Sequence, residues 1–461
     1  MGVVAAFMVP HPPMIVPAVG HGSEKQVEKT IESYERVADE IAKLKPETII
    51  ISSPHSVMYS DYFHISPGVK ATGSFAEFGA PQVKFEVKYD AEFVNLLANK
   101  AMGTGFPAGC LGEKKRELDH GTMVPLWFIT KKYTDFKLVR TGLSGFDLLK
   151  HYEYGMMIKE AASELDRRVV YVASGDLSHK LQSYGPYGFA EEGPVYDERI
   201  MDVCSRAAFG ELFDFDENFC NKAAECGHKS FVIMAGALDG LDVEAKQYSH
   251  EDVTGVGYGI CSFMPLGPDD DRHFLEKRLE AEDKLLKEKQ EKSDAYVKLA
   301  RASAEKYVRE RKVLEVPDWV PKEMLDTKAG AFVSVHKFGS LRGCIGTILS
   351  TRKNLAEEII RNAISAVSQD NRFDPVEVDE LKWLDINVDV LSEPERIESE
   401  EQLDVKRYGV IVRSGYKQGL LLPDLEGVDT VEQQISIAMR KGGITPGSNI
   451  DLYRFEVVRH Y

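Results

Sequence analysis

No apolar run in this 461-residue chain approaches the roughly 20 residues that span a bilayer. Its opening, Met-Gly-Val-Val-Ala-Ala-Phe, lacks the basic region that begins a signal peptide. A cytoplasmic protein with no membrane partner is therefore expected. Excess positive charge is also missing: 57 Lys and Arg stand against 74 Asp and Glu, for a formal charge of −17. Nucleic-acid binding needs clustered cations along a phosphate backbone, so no nucleic-acid partner is expected. The six cysteines, Cys110, Cys204, Cys220, Cys226, Cys261 and Cys344, lack the paired spacing of a metal finger and are expected to be thiols in a reducing compartment. There is no internal repeat, and one charged stretch is the only tract of biased composition.

What is present is enough apolar material, 43% of residues, to build more than one core, and the length exceeds what one core serves. The run Val-Val-Ala-Ala-Phe-Met-Val ends at Pro10 before His11, and Ile-Ile-Ile leads to Pro54 before His55. Both runs read as short, fully buried strands. Between them, Val27, Ile31, Tyr34, Val37, Ile41 and Leu44 have the spacing of a helix with one buried face. Strand, helix and strand form a right-handed crossover whose two parallel strands are expected to lie side by side and open on one sheet edge, where α/β proteins bind ligands. The first domain is thus an α/β fold with a central, mostly parallel or mixed sheet flanked by helices. Residues 255–263 read as its closing strand.

Past residue 268 the sequence becomes Asp, Glu, Lys and Arg with a thin apolar stripe. The boundary is expected near residue 275, giving a first domain at 1–267, a charged helical connector at 268–292 and an α+β second domain at 293–461. Helices are expected at 295–308 and 355–367, strands at 330–336 and 384–391, and hairpins around 339–346 and 409–419.

Three further polar clusters stand at element ends of the first domain: Leu118-Asp119-His120-Gly121, Ser174-Gly175-Asp176-Leu177-Ser178-His179 and Glu225-Cys226-Gly227-His228. Two imidazoles and one carboxylate on a single face leave open coordination positions, the arrangement of non-haem Fe(II) sites. Glu225 supplies the carboxylate most naturally. Cys226 is its rival, and a thiolate would favour a softer metal with fewer open positions. His179 suits proton transfer, its ordinary pKa being near 6.5. Each residue also has a plainer explanation: His120 and His179 as partners of loop carbonyls, Glu225 as an acid favoured at a helix start, His228 as a cap.

These residues resemble the class III extradiol ring-cleavage dioxygenases, the superfamily that includes the Memo-like proteins, over residues 2–265. The resemblance rests on Val9-Pro10-His11-Pro12-Pro13, Ser53-Pro54-His55-Ser56, Leu118-Asp119-His120-Gly121-Thr122-Met123-Val124-Pro125-Leu126 and Gly175-Asp176-Leu177-Ser178-His179. It implies His11 and His55 as metal ligands, His179 as the catalytic acid/base and His120 as a second catalytic histidine touching substrate or dioxygen. Glu225 matches the dioxygenases' carboxylate, whereas Cys226-Gly227 matches the Memo-like pattern. The implied cofactor is Fe(II), with Zn or another divalent metal as the alternative, and the implied substrate is a small catechol-like or related vicinal-oxygen molecule. A metal-binding interaction protein without ring cleavage, and a metal-dependent hydrolase or lyase, are the competing readings. The second domain resembles the AMMECR-type domain over residues 295–457, on Leu341-Arg342-Gly343-Cys344-Ile345-Gly346, Asp370-Asn371-Arg372-Phe373-Asp374-Pro375-Val376 and Ile386-Asn387-Val388-Asp389-Val390-Leu391-Ser392. Cys344 reads there either as a small hydrophobe or as a thiol activated by Arg342. Such a fusion resembles one component of a bacterial and archaeal system that also has a Memo-like protein and a radical SAM enzyme, which implies those two as partner proteins. Homo-oligomerisation stays open.

Overall fold

The structure, a computed structural model, describes residues 2–112, 117–425 and 427–461. The chain divides into two compact units, Met1–Arg278 and Leu279–Tyr461.

The first unit is built on β1 (Gly2–Val9), α1 (Glu28–Leu44), β2 (Thr48–Ser53), α2 (His120–Ile129), β3 (Lys137–Gly142), α3 (Leu148–Glu164), β4 (Arg168–Ser174), α4 (Glu192–Ser205), α5 (His228–Ala237), β5 (Leu241–Glu251) and β6 (Tyr258–Pro268). Its six-stranded sheet has the order β3-β2-β4-β1-β6-β5. The first four strands are parallel, and β6 and β5 join antiparallel. Both faces are covered, which is why β1, β2 and β4 are nearly continuous in apolar residues. Phe7, Ile49 and Ile51 pack with Tyr34, Val37 and Ile41 of α1 and with Phe128 of α2. Met8, Ile50 and Tyr171 pack on the opposite face with Tyr152 and Ile158 of α3 and Phe231 of α5. Each such side chain, fully buried, contributes about 1.5–3 kcal/mol.

One expectation about the sheet needs correction. The strands before His11 and His55 are not neighbours, because β4 lies between them and pairs in parallel with both. An apolar run reveals that a strand is buried but not which strands flank it. The insertion matters, since the end of β4 then stands between the two histidines. The expected closing strand is β6, the last strand of the unit in chain order, which pairs between β1 and the edge strand β5.

The division between units falls inside α6 (Phe274–Lys292), the charged stretch, whose Leu286 is buried. The second unit contains α7 (Ala295–Glu310), β7 (Gly330–Lys337), β8 (Ser340–Gly346), α8 (Leu355–Ser368) and β9 (Leu384–Leu391). β8, β7, β9 and the strand Val457–His460 form one antiparallel sheet, and a second four-stranded sheet includes the hairpin Gly409–Ser414 with Lys417–Leu421. Helices packed on antiparallel strands make this unit α+β. Among the described residues no helix is long and apolar enough to cross a membrane.

The Leu-Arg-Gly-Cys-Ile-Gly segment is β8 itself. A Cβ on Gly343 would stand 2.1 Å from the Ala366 carbonyl oxygen of α8, so only glycine permits that contact. Arg342 does not attend to the Cys344 thiol: Nε and Nη2 donate to the two oxygens of Glu380 at 3.1 and 2.9 Å, and Nη1 donates to the Asp374 carbonyl. The thiol instead accepts from Ser334 Oγ at 3.2 Å. Burial pushes the Glu380 carboxyl up, but Arg342, the Glu377 backbone N–H and Lys337 outweigh it and hold the group at about 2, against an ordinary 4.5. A lowered folded-state pKa means stability that is complete above pH 4.5 and lost as pH falls towards 2. Acid titrations of the denaturation midpoint should therefore show a steeper loss in this window for wild type than for Glu380→Gln.

Candidate metal centre

Three atoms able to ligate a metal, from three separate segments, converge beyond the sheet's carboxyl edge. His11, two residues past β1, places Nε2 3.0 Å from Nε2 of His55, two residues past β2. Cys226 Sγ lies 3.6 Å from His11 Nε2, and all three atoms fall within 4.8 Å of one another. Tyr34 of α1 donates its hydroxyl to the Pro10 carbonyl and so holds the turn that delivers His11.

Cys226 arrives by a glycine contact. A Cβ on Gly175 would sit 2.1 Å from Gly227 Cα, so the turn after β4 and the turn before α5 touch backbone to backbone. Asp176 N–H then donates to Cys226 Sγ at 3.3 Å, and Cys226 N–H donates to the Asp176 carbonyl at 3.4 Å. Burial, then Asp176 and Glu225, push the thiol well above its ordinary pKa. An ion binding here must displace the thiol proton.

Glu225, the carboxylate favoured from sequence, is not in this group. Its Oε2 accepts the first backbone N–H of α5, from His228, at 2.6 Å. Burial pushes its carboxyl up to about 7, against the opposing effect of that hydrogen bond. The preceding Ala224 is left-handed, at φ 55°, and the turn it makes sends Glu225 to the helix and Cys226 to the histidines. His228 is not a cap; its ring bonds the Leu212 carbonyl and Tyr196 hydroxyl. Glu225→Ala should cost about 1 kcal/mol of stability, as loss of a helix-start acceptor does, and leave metal content unchanged; elemental analysis beside a denaturation curve checks both.

His120 and His179 border the same group. His120 begins α2, whose first turn is capped by Asp119 accepting from Thr122 N–H. The His120 ring centroid is 4.0 Å from His55 and 5.5 Å from His11. His179 follows the turn after β4, and its Nδ1 donates to the Ala224 carbonyl at 2.5 Å, leaving Nε2 as the free lone pair. Tyr187 stands edge-on to it at 5.1 Å. All four imidazoles are held towards the neutral form. Burial, then His55, His120 and His179, push His11 well below its usual range. Burial and His120 bring His55 to about 4 despite Asp119, and burial lowers His120 and His179. Neutral imidazoles are the form that ligates metal.

Three supporting residues lay within the polar clusters and motifs read from sequence but were given no role there. Asp176 Oδ1 accepts His11 N–H at 2.7 Å, and burial pushes that carboxyl up to about 7. Ser174 Oγ meets His11 Nδ1 at 2.9 Å. Ser53 Oγ accepts His55 N–H at 3.1 Å and donates to Asp119 at 2.6 Å. A further local signal was that two of them, Ser53 and Ser174, end strands whose other inward positions are apolar.

Residues 5–261 match the family of the catalytic LigB subunit of aromatic ring-opening dioxygenase, and residues 297–460 match AMMECR1. Protein CA_C1420 of Clostridium acetobutylicum is 42% identical over 462 residues, covering 98% of each chain. A Thermotoga maritima protein is 53% identical over 167 residues, 36% of this chain and 96% of its own. The crystal structure of PH0010 from Pyrococcus horikoshii is 32% identical with a TM-score of 0.34, covering 36% of this chain and 88% of that one.

Proposed function

The chain belongs to the family of the catalytic LigB subunit of aromatic ring-opening dioxygenase, fused to an AMMECR1 domain, and on that premise we propose that it is a metal-dependent oxidoreductase whose ion is held by His11, His55 and Cys226. The observation that carries this reading is the convergence of two neutral imidazole nitrogens and one thiol beyond the sheet's carboxyl edge. Their spacings of 3.0 and 3.6 Å suit one ion at about 2.0–2.3 Å from nitrogen and sulfur. Imidazole and thiolate donors suit Fe(II) and Zn better than Mg or Ca, and Fe(II) is the proposed ion because the family's chemistry consumes dioxygen.

The ion would serve as template and Lewis acid for a small substrate with adjacent oxygen donors, such as a catechol. Around it, His179 Nε2 is free to take the proton of a substrate hydroxyl and return it later, since Nδ1 is committed to Ala224. His120 lies at the N-terminal end of α2, where backbone N–H groups favour developing negative charge on a bound oxygen.

The thiol favours a second reading. Thiolate gives the ion more electron density than carboxylate does, and a metal-binding protein that no longer cleaves rings fits that substitution. One experiment separates the two: anaerobic purification with Fe(II), metal analysis, then a catechol panel on an oxygen electrode. Oxygen uptake with one iron per chain supports the oxidoreductase. Stoichiometric metal without uptake on any catechol selects the second reading, and absence of metal binding sinks both.

A further inference from the structure

Ser174 ends β4, between the strands that lead to His11 and His55, and is fully buried. Its hydroxyl has one proton, which goes to the Gly121 carbonyl oxygen at 2.6 Å. Towards His11 Nδ1, 2.9 Å away, the same oxygen is left as an acceptor, so Nδ1 carries the ring proton and Nε2 the lone pair. Nε2 is the atom that faces His55 and Cys226.

We infer that Ser174 is a positioning residue that locks His11 in its Nδ1–H tautomer and ties that ring to the start of the helix carrying His120. The inference rests on the proposed metal reading for its consequence, though not for the tautomer itself. A free imidazole favours the Nε2–H form, which would aim a proton at the place of the ion. Burial removes water as a substitute partner, so the serine is what reverses that preference. Ser53 provides the contrast. A Cβ on Gly121 would lie 2.3 Å from Ser53 Oγ, so both serine hydroxyls meet at the start of α2. Ser53, however, holds His55 through its backbone N–H and leaves the ring untouched. The two serines thus do different work: one sets a ring, the other a chain path.

Histidine-selective 15N NMR on the metal-free full-length chain reads the tautomer directly, and titration with Co(II), followed by its thiolate charge-transfer band, reads the site. Wild type should show Nδ1–H at His11. Ser174→Ala should convert it to Nε2–H and weaken Co(II) binding about 10–100-fold, the effect typical of losing an outer-shell partner. Ser174→Thr, which keeps the hydroxyl, should restore both readouts and also serves if the alanine protein does not fold. Ser53→Ala should leave the His11 tautomer as in wild type. A Ser174→Ala protein that keeps Nδ1–H and wild-type Co(II) affinity overturns the inference. A tautomer that switches as expected while no variant, wild type included, takes up Co(II) upholds the lock and overturns the metal reading instead.

Discussion

Cys226→Ser and His11→Ala should each reduce the metal affinity of the protein by more than about 100-fold, beyond the 10–100-fold typical of outer-shell losses. Each removes one of the three proposed ligand atoms, which lie within 4.8 Å of one another. The serine variant is the cleaner test, because it conserves volume and replaces a soft donor with a hydroxyl that binds such ions poorly. Fold should survive in both, since the two cores lie along the sheet faces rather than at its carboxyl edge. Metal analysis after anaerobic loading, with a thermal melt of the same samples, checks the pair of claims. Full occupancy in Cys226→Ser would remove the thiol from the ligand set and reopen the question of a carboxylate, with Asp176 nearer than Glu225: its Oδ2 lies 3.9 Å from His11 Nε2.

His179→Ala should retain metal and lose about 10²–10⁴-fold in turnover, the usual contribution of a general acid/base. The ring is anchored at Nδ1 by the Ala224 carbonyl and borders the ligands without being one of the three convergent atoms. Burial lowers its pKa, so the neutral, proton-accepting form predominates at neutral pH, and activity should fall as pH drops through that lowered value. Steady-state oxygen uptake against pH, with iron content measured on each sample, tests this. A His179→Ala protein that loses its iron along with its activity would make the residue a ligand.

By itself the sequence determined what depends on neighbours along the chain. Buried strands are legible as short apolar runs, α1 as a 3.6-residue stripe, and Pro-His after each run as a histidine delivered to a strand end. The second unit's hairpins and helices were equally local. Tertiary structure alone decided the contacts between distant residues. The insertion of β4 between β1 and β2 placed Ser174 and Asp176 against His11, the latter across 165 residues. The choice between Glu225 and Cys226 is starker, because two adjacent residues with equal claims on composition point to different places. The left-handed Ala224 and the Gly175–Gly227 contact carry Cys226 to a histidine 215 residues earlier in the chain and leave Glu225 at the start of α5. No periodicity encodes such a meeting; it follows from how two loops approach once the sheet has chosen its order.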